Sequence, residues 1–99
     1  MATVFQIPVE AMITFMGQPA RKALDDFARS GYGYADIFAV PTELTGEAAA
    51  EDLFDLSNNP AREAERAAKW GSRRSLSVGD VVHVDNDSWI CASFGWEKL

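Results

Sequence analysis

Apolar positions follow two different periods along this chain, and the switch between them marks out the elements. Residues 3–9 carry Val4, Phe5, Ile7 and Val9, which predicts a strand, with Pro8 marking an edge or a strand end. Residues 11–16 are apolar without a deciding period and read as either a strand or a helical turn, until Gly17 breaks them. Over 18–30 the period becomes that of a helix. Ala20, Ala23, Leu24, Phe27 and Ala28 form one stripe, while Arg21, Lys22, Asp25, Asp26 and Arg29 lie off it. Pro19 suits the first turn of that helix and Gly31 its end.

A second strand is predicted over 34–40, followed by Pro41. Thr45 is the expected N-cap of a second helix with Glu47 in its first turn. Ala49, Leu53 and Leu56 give that helix its buried side, and Phe54 points toward another surface. Asn58, Asn59 and Pro60 stop it. Residues 60–70 predict a third helix, capped by Asn59 and ended by Gly71, with Glu65 and Lys69 as a favourable pair one turn apart. Trp70 is its only large apolar residue, so it needs a neighbour to hold it or else stands as a mobile insertion.

Residues 75–94 predict a hairpin. Val78, Val81, Val82 and Val84 are answered by Trp89, Ile90, Cys91 and Ala92 across a polar turn. With Asn86 and Asp87 as the turn, Val84 faces Trp89, His83 faces Ile90, and Val82 faces Cys91. One face then holds Val82, Val84, Trp89 and Cys91, and the other Val81, His83, Ile90 and Ala92. Both faces are greasy, so the sheet is expected to be covered on both sides, by helices or by a partner. The fold expected is α+β: a single domain over residues 1–99, with a small, mainly antiparallel sheet of three to four strands including the C-terminal hairpin, packed with two to three helices.

A chain of 99 residues fits one domain with a modest core. No run is apolar and long enough for a membrane helix, and residues 1–9 lack the features of a secretory signal. With Cys91 as its single cysteine, no internal disulfide forms, and the cytoplasm is the expected compartment. The net charge is −6 and unevenly spread. Asp36, Glu43, Glu47, Glu51, Asp52 and Asp55 form an acidic stretch without a base, whereas Arg62, Arg66, Lys69, Arg73 and Arg74 follow against only Glu63 and Glu65. Net negative charge repels phosphates at long range. The acidic stretch serves solubility or meets a basic groove on a protein.

No chemical constellation assembles from these residues. In the expected register His83 and Cys91 lie on opposite faces, so the thiol has no base within reach, although a one-residue slip would join them. One His and one Cys match no zinc ligand spacing. Asp80, Asp85 and Asp87 lack the glycine and distal glutamate of a calcium loop. Asp25-Asp26 and Glu51-Asp52 diverge by about 100° on a helix and form no acid–base pair. Gly31 and Gly33 lead into a strand, the reverse of a phosphate-cradling order. Arg73-Arg74-Ser75 reads as a loop, or as a basophilic kinase site or phosphate corner. No catalytic residue, metal site or cofactor is predicted.

The run Arg74-Ser75-Leu76-Ser77-Val78-Gly79-Asp80-Val81-Val82, followed by Phe94-Gly95-Trp96, resembles the C-terminal half of the YodL-like domain family. Tyr34-Ala35-Asp36-Ile37-Phe38, Glu51-Asp52-Leu53-Phe54 and Asn59-Pro60 are similar in order to its upstream part, and residues 3–7 to its opening strand. The connection over 61–73 is longer than in the family, and Cys91 and Ala92 replace more polar residues. That family occurs in small proteins of phages, plasmids and integrated elements. The resemblance implies a role in establishing such an element in a host, and no reaction.

The expected function is therefore a non-enzymatic protein-binding module of a mobile element, acting in the host cytoplasm. It would inhibit a host defence complex, of the anti-CRISPR or anti-restriction kind, through its acidic surface. Phe54, Trp70, Trp89 and Trp96 are the aromatic anchors available to it, although tryptophans often belong to the core. The alternative is a nucleic-acid-binding, antitoxin-like regulator that contacts phosphates through Arg62, Arg66, Lys69, Arg73 and Arg74. A homodimer fits either reading.

Overall fold

Five antiparallel strands form one sheet with helices on both faces, in a computed structural model that describes residues 1–99. The strands are β1 (Ala2–Gln6), β2 (Asp36–Val40), β3 (Val81–Val84), β4 (Asp87–Cys91) and β5 (Trp96–Lys98), in the order β2-β1-β3-β4-β5. The fold is thus α+β as expected, with five strands where three to four were predicted. The extra strand is β5, whose three residues are too few to show a period. Pro8 follows β1 and marks its end, not an edge, since β1 pairs with both β2 and β3.

The hairpin of β3 and β4 forms, but it turns one residue earlier than predicted. Asp85 and Asn86 occupy the turn with φ of 51° and 67°. Left-handed backbone at both central residues suits the right-handed twist of the flanking strands, and Asp and Asn tolerate it better than most residues. Val82 therefore pairs with Trp89, His83 with Ser88 and Val81 with Ile90. The register moves by two residues, one full pleat period, so the expected division of faces survives.

On one face Val4, Phe38, Val40, Val82, Val84, Cys91 and Trp96 meet Ala49, Ala50, Leu53 and Leu56 of the long helix α3 (Gly46–Asn58). Thr45 stands at the N-cap of α3, yet its side chain makes no capping bond. Residues 60–70 continue as a 3₁₀ turn, Pro60–Arg62, and the helix α4 (Glu63–Lys69), with the Asn59 side chain accepting the Ala61 amide. α4 itself buries no residue. Trp70 anchors it from beyond its last turn. The indole is fully buried, meets Phe38 edge-on at 5.0 Å, and donates to the Arg74 carbonyl at 3.0 Å.

The opposite face of the sheet is covered by α1 (Met12–Phe15), entered through a 3₁₀ turn, and α2 (Ala20–Arg29). Ile7, Ala11, Phe15, Ala20, Ala23 and Phe27 pack there on Val81 and Ile90. The undecided segment 11–16 is helical. In α2 the buried stripe is narrower than its pattern, since Leu24 is half-buried and Ala28 exposed.

A buried ionic knot joins the ends of the fold. Asp80 has no exposed surface. Its carboxylate accepts the Ile7 amide at 3.0 Å, the Ser77 amide at 2.9 Å, and both Nη atoms of Arg74 at 2.8 and 2.9 Å. Arg74 also donates to the carbonyls of Ile7 and Ser75. Four donors fill the lone pairs of the carboxylate, which is how a charge survives out of water here.

Candidate functional site: a cleft beside α3

The outward side of α3 carries Glu47, Glu51, Phe54 and Asn58, spaced by four, three and four residues, so they form one stripe. Facing that stripe is the tight turn between β4 and β5. The Ala92 amide donates to the Gly95 carbonyl at 2.9 Å, and Gly95 takes a φ of 79° that favours glycine. The loop 76–78 closes a third side, and a cleft of about 650 Å³ lies between them. Leu76, Cys91 and Trp96 are its buried lining.

Phe94 sits on the rim of this cleft and is 98% exposed, more than any other large apolar side chain. Phe54 is 37% exposed and meets Trp96 edge-on at 6.4 Å. Glu51 is the only charged residue lining the cleft, and it makes no ion pair. Asn58 donates through Nδ2 to the carbonyls of Phe54 and Leu76, which fixes its amide beside the cleft. Phe94 escaped the sequence reading as a site residue. The signal was present: an aromatic between Ser93 and Gly95 in a turn has no core face to fill.

The four predicted aromatic anchors separate. Phe54 is accessible and Trp96 forms part of the cleft wall. Trp70 is a correction, because it lies wholly inside the core and offers a partner nothing. Trp89 packs against the core beneath α3 with its indole nitrogen buried and unpartnered.

The acidic stretch does not form one free surface. Asp36 pairs with Arg73 at 2.9 Å, and Asp52 and Asp55 pair with Arg62 at 2.8 and 3.0 Å. Glu43, Glu47 and Glu51 remain exposed and unpaired.

The basic segment is consumed internally. Arg62 holds Asp52, Asp55 and Glu65, hydrogen bonds that push its guanidinium further up. Lys69, and then Arg62, hold the Glu65 carboxyl below its ordinary range. Arg66 donates to the carbonyls of Ser57, Gly71 and Arg73. Arg73 stacks its guanidinium 4.1 Å above Phe38 while pairing with Asp36, and Arg74 belongs to the Asp80 knot. All five side chains expected to meet phosphates are engaged within the chain. Ser75 likewise donates its hydroxyl to the Ser57 carbonyl at 2.5 Å.

Cys91 and His83 lie on opposite faces of the sheet. The His83 Nδ1 is 2.8 Å from the Ser88 hydroxyl, whereas Cys91 faces α3. Burial, reinforced by the charge of Asp80, pushes the Cys91 thiol up to about 11, so it is held as the inert thiol. No group of three or more His, Cys, Asp or Glu side chains is placed to hold a metal ion. Asp87 pairs with Lys98 at 3.5 Å, and Asp85 sits in the hairpin turn. No helix is long and apolar enough to cross a membrane. Comparison with protein-family models, curated proteins and solved structures gives no match to this chain.

Proposed function

We propose that this chain is a non-enzymatic, stoichiometric protein-binding module that docks its partner in the cleft between α3 and the β4–β5 turn. The observation that carries this reading is Phe94, an aromatic side chain 98% exposed at the mouth of a partly apolar cleft. Burying a phenylalanine contributes about 1.5–3 kcal/mol, the range of an interface anchor. Phe54 and the edge of Trp96 widen the apolar area around it. The unpaired Glu51 supplies what is left of the acidic surface at this place. In the mobile-element setting implied by the YodL-like resemblance, the partner is a protein of a host defence complex. A nucleic-acid regulator finds no comparable support, because Arg62, Arg66, Lys69, Arg73 and Arg74 are all bonded within the chain.

Affinity capture from host lysate, run in parallel with the parent chain and Phe94→Ser, tests the reading. A protein retained stoichiometrically by the parent and lost by the variant supports it. Equal retention by both, or no retained protein, overturns it.

A further inference from the structure

We infer that the occupant of the cleft is a short segment of a partner protein carrying one large apolar side chain beside a lysine or arginine. The inference rests on the docking reading above and adds the chemistry of the partner. Its apolar half follows from Phe94 and Phe54, which flank the opening, and from Leu76 beneath them. Its basic half follows from charge. Glu51 lines the cleft without an ion pair, Glu47 continues the same stripe one turn away, and no base lines the cleft. Asn58 reinforces this bias, since its Nδ2 is committed to the Leu76 carbonyl while its Oδ1 accepts no bond within the chain. The polar groups of the stripe are thus acceptors that want donors.

Spacing agrees with adjacent side chains on one segment. At a rise of about 1.5 Å per residue, Glu51 stands about 4.5 Å along the helix axis from Phe54. A single lysine or arginine next to the apolar residue spans that interval.

A second copy of the chain fits less well. It brings a net charge of −6 toward another −6. Of its nine bases only Arg29 makes no side-chain bond within the chain, so a copy has almost no free cation to offer Glu51.

Amide shift perturbation on the isotopically labelled full chain provides the test. The probes are three capped hexapeptides in a glycine–serine background, with central leucine–arginine, leucine–glutamate or serine–arginine. The leucine–arginine probe is expected to shift the amides of Glu51, Phe94 and Gly95. The leucine–glutamate probe should bind about fivefold more weakly, the scale of one partly exposed ion pair. The serine–arginine probe, which keeps the cation but loses the apolar side chain, should bind at least about tenfold more weakly. Glu51→Lys, at an exposed position with no internal partner, should transfer the preference to leucine–glutamate, and Phe94→Ser should abolish the shifts. Equal shifts with leucine–arginine and leucine–glutamate, shifts centred elsewhere, or none at the cleft would overturn the inference. Capture lost by Phe94→Ser but kept by Glu51→Lys removes the basic partner and leaves the docking reading standing.

Discussion

Replacing Asp80 by asparagine isolates the charge in the buried knot while keeping its volume. Asparagine retains one carbonyl oxygen and presents an amide where the second oxygen stood. If the carbonyl keeps the Ile7 amide and one Arg74 nitrogen, the new NH2 group points at the Ser77 amide and the other Arg74 nitrogen. Donors then face donors at a site with no exposed surface. Breaking a buried ion pair from one side costs about 3–5 kcal/mol. Arg74 is 27% exposed and regains some water, which places the loss toward the lower end. Against a typical total of about 5–15 kcal/mol, about 3 kcal/mol brings a small domain near its threshold. With a urea slope of about 1–3 kcal/mol per molar, the unfolding midpoint should fall by about 1–3 M, read by tryptophan fluorescence. The double variant Asp80→Asn with Arg74→Leu should lose less than the sum of the two single changes. A loss below about 1 kcal/mol for Asp80→Asn, with additive behaviour, would refute the account of Asp80 as the organiser of this junction.

Four further outcomes are expected. Gly79 has a φ of +97°, and a Cβ there would lie 2.7 Å from Ile7 Cδ1 and 2.8 Å from the Phe15 ring, whereas one on Gly95 meets nothing within 4 Å. Gly79→Ala should therefore cost about 2–4 kcal/mol and Gly95→Ala about 1 kcal/mol in the same urea titration. The Cys91 thiol ionises near 9.0 when unfolded and near 11 when folded, so its contribution is complete below pH 9 and is lost as pH rises toward 11. Comparing the parent with Cys91→Ala between pH 8 and 11 should expose a difference in slope that accumulates to about 2–3 kcal/mol. Native Cys91 should also react with a disulfide reagent at pH 7.5 far more slowly than the unfolded chain. Phe94→Ser should shift the unfolding midpoint by less than about 0.5 kcal/mol in equivalent stability, as befits a side chain that touches little.

The strands and helices were legible wherever several residues shared a period. Ala20, Ala23 and Phe27 announced α2, and Ala49, Leu53 and Leu56 announced α3. The apolar residues on both faces of β3 and β4 pointed to a sheet covered on both sides, by helices or by a partner, and helices cover both faces. The turn was misplaced by one residue because Asp85, Asn86 and Asp87 all suit turns, and only backbone twist chooses among them. Charge was read least well. A list of acids and bases says nothing of who pairs with whom, so the basic run from Arg62 to Arg74 looked like a free surface although Asp36, Asp52, Asp55, Glu65 and Asp80 neutralise most of it. The cleft, in turn, depends on a meeting of α3 with a turn some forty residues onward, and sequence patterns are local.

β1 lies in the interior of the sheet, yet its inner neighbour comes from the far end of the chain, with Ile7 and Asp80 separated by 73 positions. No local contact completes the central ladder, so a large loop must close before the middle of the sheet gains anything. Such topology slows folding. Until residues 81–84 arrive, the first strand presents an unpaired apolar edge to its surroundings. Early association with another chain, rather than weak packing, is the hazard this architecture carries during synthesis.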